Sequence, residues 1–425
     1  QVRPVNSGQH RQVYRPKPRA APAADSPPHA RRRRGRPREI HMTKLLDVTL
    51  PQPALVAALK TASGIADARA KGQPILSHVL LRASEKTGLE ILGTDMMVSS
   101  TEVLPLMADG LSVAGAGGLC VQARFLLNVA STLPPKPVRL RGLENHWLEL
   151  SVGRSTMKLM GASMSDFPDM PSAAGVELVK MSAAAVADIL EKTAASISSD
   201  ESRVNLNGLL WESDGEETAT VSTDGHRLTT MRVDLVGPKL ERGVIVPRKG
   251  IMHLRSMLAR VKAGDIKIGV DKIKNGHMFA KAGDLTLTFK LSNVVFPPYD
   301  QVVPKIFQRS AIVDRVELAS VLKRAMTMAP EKTATVRIAY RGAAKELDIT
   351  AENPDAGVLN DTIAIEKWTG NGDLLAAYNA HYIIDALDVI LTKQVVLQLQ
   401  GELDPLVIRP VDGPDFCAVV MPMRI

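Results

Sequence analysis

The segment 222–228, Ser-Thr-Asp-Gly-His-Arg-Leu, gathers within one turn residue types that could do acid–base chemistry. His226 and Asp224 could exchange a proton, but no serine or cysteine nucleophile motif accompanies them. Gly225 supplies the backbone freedom that a tight turn needs. We therefore expect a polar turn in which His226 lines a binding pocket, and we expect no catalytic residue.

Other patterns that carry chemistry are missing from the sequence. It has no paired-carboxylate motif for nucleotidyl transfer, no glycine-rich phosphate loop and no Cys/His metal cluster. Its two cysteines, Cys120 and Cys417, are far apart, which suits a reducing cytoplasm. We expect no metal and no cofactor. The competing enzyme hypothesis, a nucleic-acid hydrolase or transferase, would need clustered acidic metal ligands.

The final residues form a second unusual group, in which Pro422 separates Met421 from Met423. Proline fixes the backbone dihedral φ and keeps such a segment extended. Methionine is flexible and polarizable, so a surface that contains it can adapt to unlike side chains. Core packing alone explains this apolar end poorly.

The elements that must position these groups follow a threefold internal repeat. Each repeat has an amphipathic helix, a strand, a polar turn and a second strand that ends at an Asp or Asn. The helices are expected at 53–56, 185–190 and 318–322, and a strand is expected at 74–76. The end residues Asp95, Asp224 and Asn353 are 129 residues apart and again 129 residues apart. Chance rarely gives such spacing.

The second half of each repeat has a similar plan. A short strand leads into a helix, near 125–133, 249–261 and 382–391, and two or three alternating strands follow. The pairs Asp214-Gly215 and Asn275-Gly276 predict tight hairpin turns.

Proline-rich joints at 166–171 and 296–299 divide the chain. We predict a disordered basic extension over 1–41 and three domains over 42–173, 174–304 and 310–425. The fold class is α+β, with two helices packed on antiparallel sheets in each of three similar domains. Like units that join head to tail can close into a ring, and a dimer would bring six domains and twelve helices.

The net charge of +8 is concentrated at the N-terminus. Residues 1–41 have eleven basic and two acidic side chains, whereas the rest has 42 basic and 43 acidic ones. The extension is rich in Pro, Ala and Arg and should be disordered. Its segment 34–37, Arg-Gly-Arg-Pro, resembles an AT-hook core for the minor groove. The alternative is a dispensable leader ahead of a start at Met42.

Basic side chains on the predicted helices could contact DNA phosphates without reading sequence. In the helix near 249–261 an apolar stripe leaves Arg248, Lys249 and Arg255 on other faces. The alternative is an ordinary solvated basic face. No apolar run approaches the roughly 18 residues of a membrane helix, and no apolar signal segment begins the chain. We expect a cytoplasmic, nucleoid-associated protein without membrane contact.

Seven motifs, in order, resemble those of the bacterial DNA polymerase III beta subunit, the beta sliding clamp of the DNA clamp family. They are Asp-Phe-Pro at 166–168, Leu-Asn-Gly-Leu-Leu at 206–210, Thr-Asp-Gly-His-Arg-Leu at 223–228, Val-Ile-Val-Pro-Arg-Lys-Gly at 244–250, Phe-Pro-Pro-Tyr at 296–299, Thr-Ala-Glu-Asn-Pro at 350–354 and Met-Pro-Met-Arg at 421–424. The resemblance covers residues 42–425. It implies the DNA-clamp fold and a head-to-tail dimeric ring on duplex DNA, with a non-catalytic role in processivity.

The resemblance also implies three sets of site residues. The peptide-binding cleft would comprise Leu206, Thr223, Gly225, His226, Arg227, Leu228, Pro297, Val302, Tyr382, Val419, Met421, Pro422, Met423 and Arg424. The DNA-binding residues would be Arg69, Lys71, Arg203, Arg248 and Lys249. The dimer contact would place Met157 and Leu159 against the region of Met328 in the second copy.

The partners that the resemblance implies are double-stranded DNA, the replicative polymerase alpha subunit and the clamp loader. Other polymerases, ligase and mismatch-repair proteins would bind through short clamp-binding peptides. Two further alternatives remain open from the sequence. One is a specialised second clamp copy with altered partners, and the other is an AT-hook protein whose body merely dimerises.

Overall fold

The structure, a computed structural model, describes residues 45–70, 72–106, 110–261, 264–271, 276–331, 333–355 and 357–424. The N-terminal extension, Lys71 and Asn275 lie outside these ranges. No helix within them is long and apolar enough to cross a membrane.

The first unit, domain I, contains two helices and ten strands among the described residues. The helices are α1 (Gln52–Ile65) and α2 (Ala123–Thr132). The strands are β1 (Asp47–Pro51), β2 (His78–Ser84), β3 (Gly88–Thr94), β4 (Val98–Leu104), β5 (Ser112–Gly115), β6 (Gly117–Gln122), β7 (Pro137–Gly142), β8 (Leu148–Val152), β9 (Ser155–Leu159) and β10 (Gly161–Ser163).

Domain II repeats this plan with eight strands in its described part. Its helices are α3 (Ala183–Ala194) and α4 (Arg248–Val261). Its strands are β11 (Val179–Ser182), β12 (Gly208–Ser213), β13 (Thr218–Thr223), β14 (Arg227–Val233), β15 (Val244–Pro247), β16 (Asp265–Val270), β17 (His277–Ala282) and β18 (Leu285–Lys290).

Domain III has the same order of elements. Its helices are α5 (Arg315–Met326) and α6 (Ala380–Val389). Its strands are β19 (Arg309–Asp314), β20 (Thr335–Arg341), β21 (Glu346–Asn353), β22 (Gly357–Ala364), β23 (Lys367–Thr369), β24 (Leu374–Asn379), β25 (Gln394–Leu399), β26 (Leu406–Pro410) and β27 (Asp415–Val420).

Strand pairing joins the domains into continuous antiparallel sheets. The sheet β10-β6-β2-β3-β4-β18-β17-β16-β11 crosses from domain I to domain II through the β4–β18 pair, the I–II joint. The sheet β15-β12-β13-β14-β27-β26-β25-β19-β23 crosses from domain II to domain III through the β14–β27 pair, the II–III joint. Two smaller sheets, β5-β1-β7-β8-β9 and β22-β21-β20-β24, end in β9 and β22.

The helices of the described residues pack in pairs, α1 with α2, α3 with α4 and α5 with α6, over the sheets. In α1 the buried Leu55, Leu59 and Ile65 recur at helical spacing and face the core. Three helices begin at side-chain caps, such as Asp314, whose carboxylate accepts the N–H groups of Val316 and Glu317 at 2.9 Å. Patterning and capping thus act together to fix the helices on one side of each sheet.

The structure confirms the α+β fold class, the threefold order of elements and the helices expected from periodicity. The hairpin predicted at Asp214-Gly215 joins β12 to β13, and Gly215 adopts a φ of 108°. The strand expected at 74–76 is wrong. Pro74 cannot donate a backbone hydrogen bond, and Pro74–Ser77 forms a 3-10 turn before β2 begins.

Candidate functional site

The turn between β13 and β14 is fixed by side chains acting on its own backbone. Asp224 Oδ1 accepts the N–H groups of His226 (2.9 Å) and Arg227 (3.1 Å). Thr223 Oγ1 donates to Arg227 O (2.6 Å) and accepts Gly225 N–H (3.1 Å). Gly225 has a φ of 91°, which suits glycine. Asp224 is therefore an acceptor that shapes the turn, and His226 is presented at the exposed surface.

Arg227 ties this turn to domain III. Its guanidinium donates to Asp224 Oδ2 (3.0 Å), to Asp385 Oδ2 (2.5 Å) and to Ala195 O (2.6 Å). It also lies 4.5 Å from the centre of the Tyr382 ring, within the range of a cation–π contact. Burial, reinforced by the nearby Asp224 carboxylate, raises the pKa of Tyr382. Most N–H groups of the Arg227 guanidinium are therefore engaged in hydrogen bonds that hold the II–III joint together.

The C-terminal segment continues from β27 along the same turn. Leu228 lies directly opposite Val419 in the β14–β27 pair. Beyond the strand, Met421 N–H donates to His226 O over 2.9 Å. Met423 N–H donates to the backbone of β24 over 2.8 Å. Met421, Pro422 and Met423 are half-buried, so their side chains border a surface that is partly open.

The outer face of this joint has its own apolar cluster. Leu228, Val419 and Phe296 are buried in it, and Tyr299 packs against it. Pro297 follows Phe296 directly, and the Val302 N–H donates to Tyr299 O over 2.9 Å. The domain II–III connector thereby brings Pro297 and Val302 to the cluster that carries Leu228.

Two other residues of the predicted sets lie at the same turn. Leu206 is buried, and its N–H donates to Arg203 O over 2.8 Å. Arg203, predicted to contact DNA, donates to Asp224 O over 3.1 Å. Arg424 is exposed, and it makes no side-chain hydrogen bond or ion pair within the described residues.

The basic residues predicted to contact DNA are placed unequally. Lys249 forms an ion pair with Asp95 and donates to Ile65 O over 3.1 Å, so it bridges the I–II joint. Arg69 is exposed in the loop after α1, whereas Arg248 is only half-exposed. Lys71 lies outside the described residues. A DNA role for these residues stays a prediction.

The predicted dimer residues Met157 and Leu159 lie in β9, the last strand of its sheet. Both are half-buried against the core of domain I. Met328 lies just beyond α5, half-buried against the large core of domains II and III.

Sequence reasoning missed Asp385 and Ala195 as partners of Arg227. Asp385 stands 158 residues from Arg227 in the chain, and nothing local signals the pair. The described residues contain no group of three or more His, Cys, Asp or Glu that could hold a metal. Both cysteines are buried and free, and burial raises the pKa of Cys417 to about 11.

Comparisons with known proteins agree along the length of the described chain. Family models for the N-terminal, central and C-terminal domains of the DNA polymerase III beta subunit match residues 46–171, 180–298 and 300–424. The Beta sliding clamp of Pseudomonas aeruginosa is 30% identical over 378 residues, covering 89% of this chain and 99% of that protein.

Solved structures are similar in the same way. The crystal structure of the DNA polymerase III subunit beta from Pseudomonas aeruginosa has a TM-score of 0.81 at 29% identity, covering 89% of this chain and 100% of that chain. A DNA polymerase sliding clamp from Bacillus subtilis, with a TM-score of 0.84 at 21% identity and coverage of 90% and 100%, supports the fold.

Three repeated α+β domains that are joined strand to strand define the class of DNA clamps. The chain belongs to the DNA polymerase III beta subunit family, the beta sliding clamps. Its function is that of a sliding clamp in DNA replication, a non-catalytic processivity factor of the polymerase holoenzyme. The alternatives of an enzyme, a specialised second copy or an AT-hook protein are not favoured.

Proposed function

We propose that two copies of this chain close head to tail into a ring around duplex DNA and tether the replicative polymerase to it. The tether raises the effective concentration of polymerase at the primer end by linkage, without catalysis. Such a protein would act in the cytoplasm, at the nucleoid.

The ring is supported by two sheet edges, those of β22 and β9, which the two joints within the chain do not use. Each joint pairs the third strand after the first helix of one domain, β4 or β14, with the last strand of the next domain's meander, β18 or β27. The corresponding strand of domain III is β22, and the corresponding meander strand of domain I is β9. Both end their sheets. A third joint of the same kind would therefore pair β22 with β9 of a second copy.

The helices support the same contact. Tyr382, the third residue of α6, packs against Arg227 across the II–III joint. Phe125 is the third residue of α2 and is 63% exposed. Val316 of α5 is also exposed, at 58%. Phe125 holds the position in α2 that Tyr382 holds in α6. In a third joint of the same kind, Phe125 would therefore pack beside α5 of the second copy. This is also where Met157 and Leu159 are predicted to meet Met328.

The helices present basic side chains that could contact DNA phosphates, although the net charge of residues 42–425 is close to zero. Lys60, Arg124 and Arg255 are exposed on α1, α2 and α4, with no side-chain hydrogen bond or ion pair among the described residues. They are better phosphate ligands than Lys249, which is already paired. Few contacts are needed, because topology keeps a ring on DNA and tight contacts would oppose sliding.

The surface around His226 and Met421 is the proposed cleft for partner peptides. It combines an ordered polar turn with adaptable methionines over a buried apolar cluster. A cleft that is largely formed beforehand limits the ordering cost to the incoming peptide. The proposed users are the replicative polymerase alpha subunit, the clamp loader, other polymerases, ligase and mismatch-repair proteins.

The ring is tested by topology. The protein is loaded onto nicked circular DNA with a clamp loader and ATP, half of the sample is linearised, and retention is measured by gel filtration at raised salt. We expect retention on circles and loss from linear ends. Equal loss from both would leave only salt-sensitive contacts and would overturn the ring. The same experiment without residues 1–41 decides whether the extension contributes.

A further inference from the structure

The turn between β3 and β4 repeats the hydrogen bonds of the turn between β13 and β14. Asp95 Oδ1 accepts the N–H groups of Met97 (2.9 Å) and Val98 (2.7 Å). Thr94 Oγ1 accepts Met96 N–H (3.0 Å) and donates to Val98 O (3.2 Å). The I–II joint therefore carries a second copy of the turn that shapes the proposed peptide cleft.

The chain segment that hydrogen-bonds to this turn, at the end of β18, also has a counterpart, which is the segment that follows β27. Lys290 N–H donates to Met97 O over 2.8 Å. The matching bond at the II–III joint runs from Met421 N–H to His226 O over 2.9 Å. Two residues further on, each segment forms one isolated bridge to a neighbouring strand. The two joints share one backbone frame and differ in their side chains.

Two methionine side chains of the turn between β3 and β4 are exposed at the surface. Met96 is 51% exposed and Met97 is 45% exposed. Met96 holds a φ of 73°, where the other turn has glycine, although this conformation is disfavoured for residues with a side chain. The hydrogen bonds of this turn hold Met96 in that conformation, and the turn thereby presents both methionine side chains at the surface.

Beside these methionines the joint is polar where the other joint is apolar. Ser99 lies opposite Thr288, at the positions that Leu228 and Val419 occupy in the II–III joint. Thr288 is only 6% exposed, and its hydroxyl has no hydrogen-bond partner among the described residues. The Ser99 hydroxyl lies 2.7 Å from Thr94 Oγ1. The Thr288 hydroxyl is not one of the fully buried polar atoms that lack a partner, so it keeps contact with solvent and can donate to a ligand there.

A basic side chain lies beside this turn. Lys290, two residues along β18 from Thr288, is exposed and forms no ion pair within the described ranges. The nearest carboxylate of the turn, Asp95, is neutralised by Lys249. His277 lies opposite Lys290, and burial together with Lys290 lowers the pKa of His277 against the opposing effect of Asp271. Lys290 thus places on this surface a positive charge that forms no ion pair within the described residues.

We propose that the outer face of the I–II joint is a second peptide-binding site, which takes an extended partner segment with a carboxylate beside an apolar side chain. The apolar side chain would pack on Met96 and Met97. The carboxylate would accept from Thr288 and from the Lys290 ammonium, a charge-assisted pair. This site rests on the repeated frame and does not require that the II–III cleft be used.

Methyl NMR of the full chain labelled at methionine tests the site directly. The probes are acetyl-Leu-Glu-Leu-amide and its matched analogue acetyl-Leu-Gln-Leu-amide, and single Met→Leu variants assign the signals. We expect the Met96 and Met97 methyl signals to shift with the acidic peptide. The neutral analogue should bind about tenfold more weakly, because it loses the charge-assisted bond. Lys290→Ala should remove this preference, while the matched Lys281→Ala keeps it.

Three outcomes would overturn the site. They are unmoved Met96 and Met97 signals, equal affinity for the two peptides, and equal effects of the two lysine substitutions. The methyl signals of Met421 and Met423 report the II–III cleft in the same spectra, so a failure there is distinguished from a failure here. Met96→Gly checks the fold, because it relaxes the backbone at this turn and should preserve the spectrum elsewhere.

Discussion

In the sequence Asp224 could be taken for a catalytic partner of His226. In the structure its carboxylate instead stabilises the turn between β13 and β14. One carboxylate oxygen accepts two backbone N–H groups and the other pairs with Arg227. Both acceptor atoms are therefore in use before any ligand arrives. The imidazole of His226 remains at the surface, free to contact a peptide.

The first prediction concerns this carboxylate. Asp224→Ala removes two turn hydrogen bonds and leaves Arg227 short of one counter-charge, so the free energy of unfolding should fall by about 2 kcal/mol. Urea denaturation measures it. Asp234→Ala, at an exposed position without hydrogen bonds in the described chain, should stay within about 0.5 kcal/mol. Similar losses for both variants would contradict the role of Asp224.

A second prediction follows from His253, which lines a cavity of about 620 Å³ between α1 and α4. Burial and the nearby Lys249 lower its pKa, and Asp95 opposes them only in part. The unfolded chain, with a pKa near 6.5, then binds the proton more readily. Stability should therefore fall as the pH drops from above 6.5 towards the folded-state pKa.

His253→Gln should flatten this decline between pH 7.5 and pH 5.5, measured as the free energy of unfolding in urea at each pH. The pKa of His277 is also lowered, so His277→Gln should remove a separate part of the same decline. A parent-like pH profile in His253→Gln would refute the assignment.

At the scale of elements, strand pairing at the I–II joint is combined with ion pairs whose carboxylates are mostly buried. Across the I–II joint, Arg260 donates to both oxygens of Glu102, at 2.7 and 3.3 Å, and to Thr61 Oγ1 at 2.7 Å. Glu102 is only 8% exposed. Its charge is tolerated there because the guanidinium covers it.

The third prediction is that Arg260→Ala lowers the free energy of unfolding by about 2 to 3 kcal/mol, because Glu102 is left buried and unpaired. Adding Glu102→Gln should recover at least half of the loss, since the double variant has no buried charge. Arg255→Ala, one turn away and exposed, is the control. If the double variant were as unstable as the sum of its parts, the ion pair would not explain the loss.

Local patterns predicted helices better than joints. The apolar stripe of α4, with Ile251, Leu254 and Leu258, is visible in fourteen consecutive residues. The β4–β18 pair joins segments almost two hundred residues apart, and no local signal marks a partner at that distance. For the same reason nothing in the sequence indicated the ion pair between Lys249 and Asp95, which lies 154 residues away in the chain.

The site divides in the same way. Thr223, Asp224 and Gly225 form a turn whose chemistry is local, and residue types alone pointed to it. The contact of Met421 with His226 came from a resemblance, and periodicity offered no route to it. Met96 and Met97 drew no attention in the sequence, because their position matters only once the two joints are superposed through the 129-residue repeat.

At the scale of the whole molecule, the fourth prediction concerns assembly. Phe125→Glu places a charge in the proposed contact with the second copy, so the dimer dissociation constant should rise at least about tenfold. Analytical ultracentrifugation measures it. Because Phe125 is exposed in the single chain, the thermal stability of the monomer should change little.

Leu403→Glu is the matched control. Leu403 is 71% exposed in the turn between β25 and β26, outside the elements β9, β22, α2 and α5 that form the proposed contact. Its dimer constant should match that of the parent. Equal weakening by both substitutions would indicate a general loss of solubility and would count against the proposed contact.

In the proposed contact, β22 of one copy pairs with β9 of the next, so the same contact can repeat from copy to copy. A contact of this kind can add further copies without limit. The angle between neighbouring domains at each joint decides whether the copies close into a ring or continue as a filament. Six equal joints close a circle when each turns the chain by about 60°. The two joints within the chain fix most of that angle, so a substitution that flattens the I–II joint should produce open filaments of intact subunits. Electron microscopy of joint variants would then read out an angle that a dissociation constant cannot report.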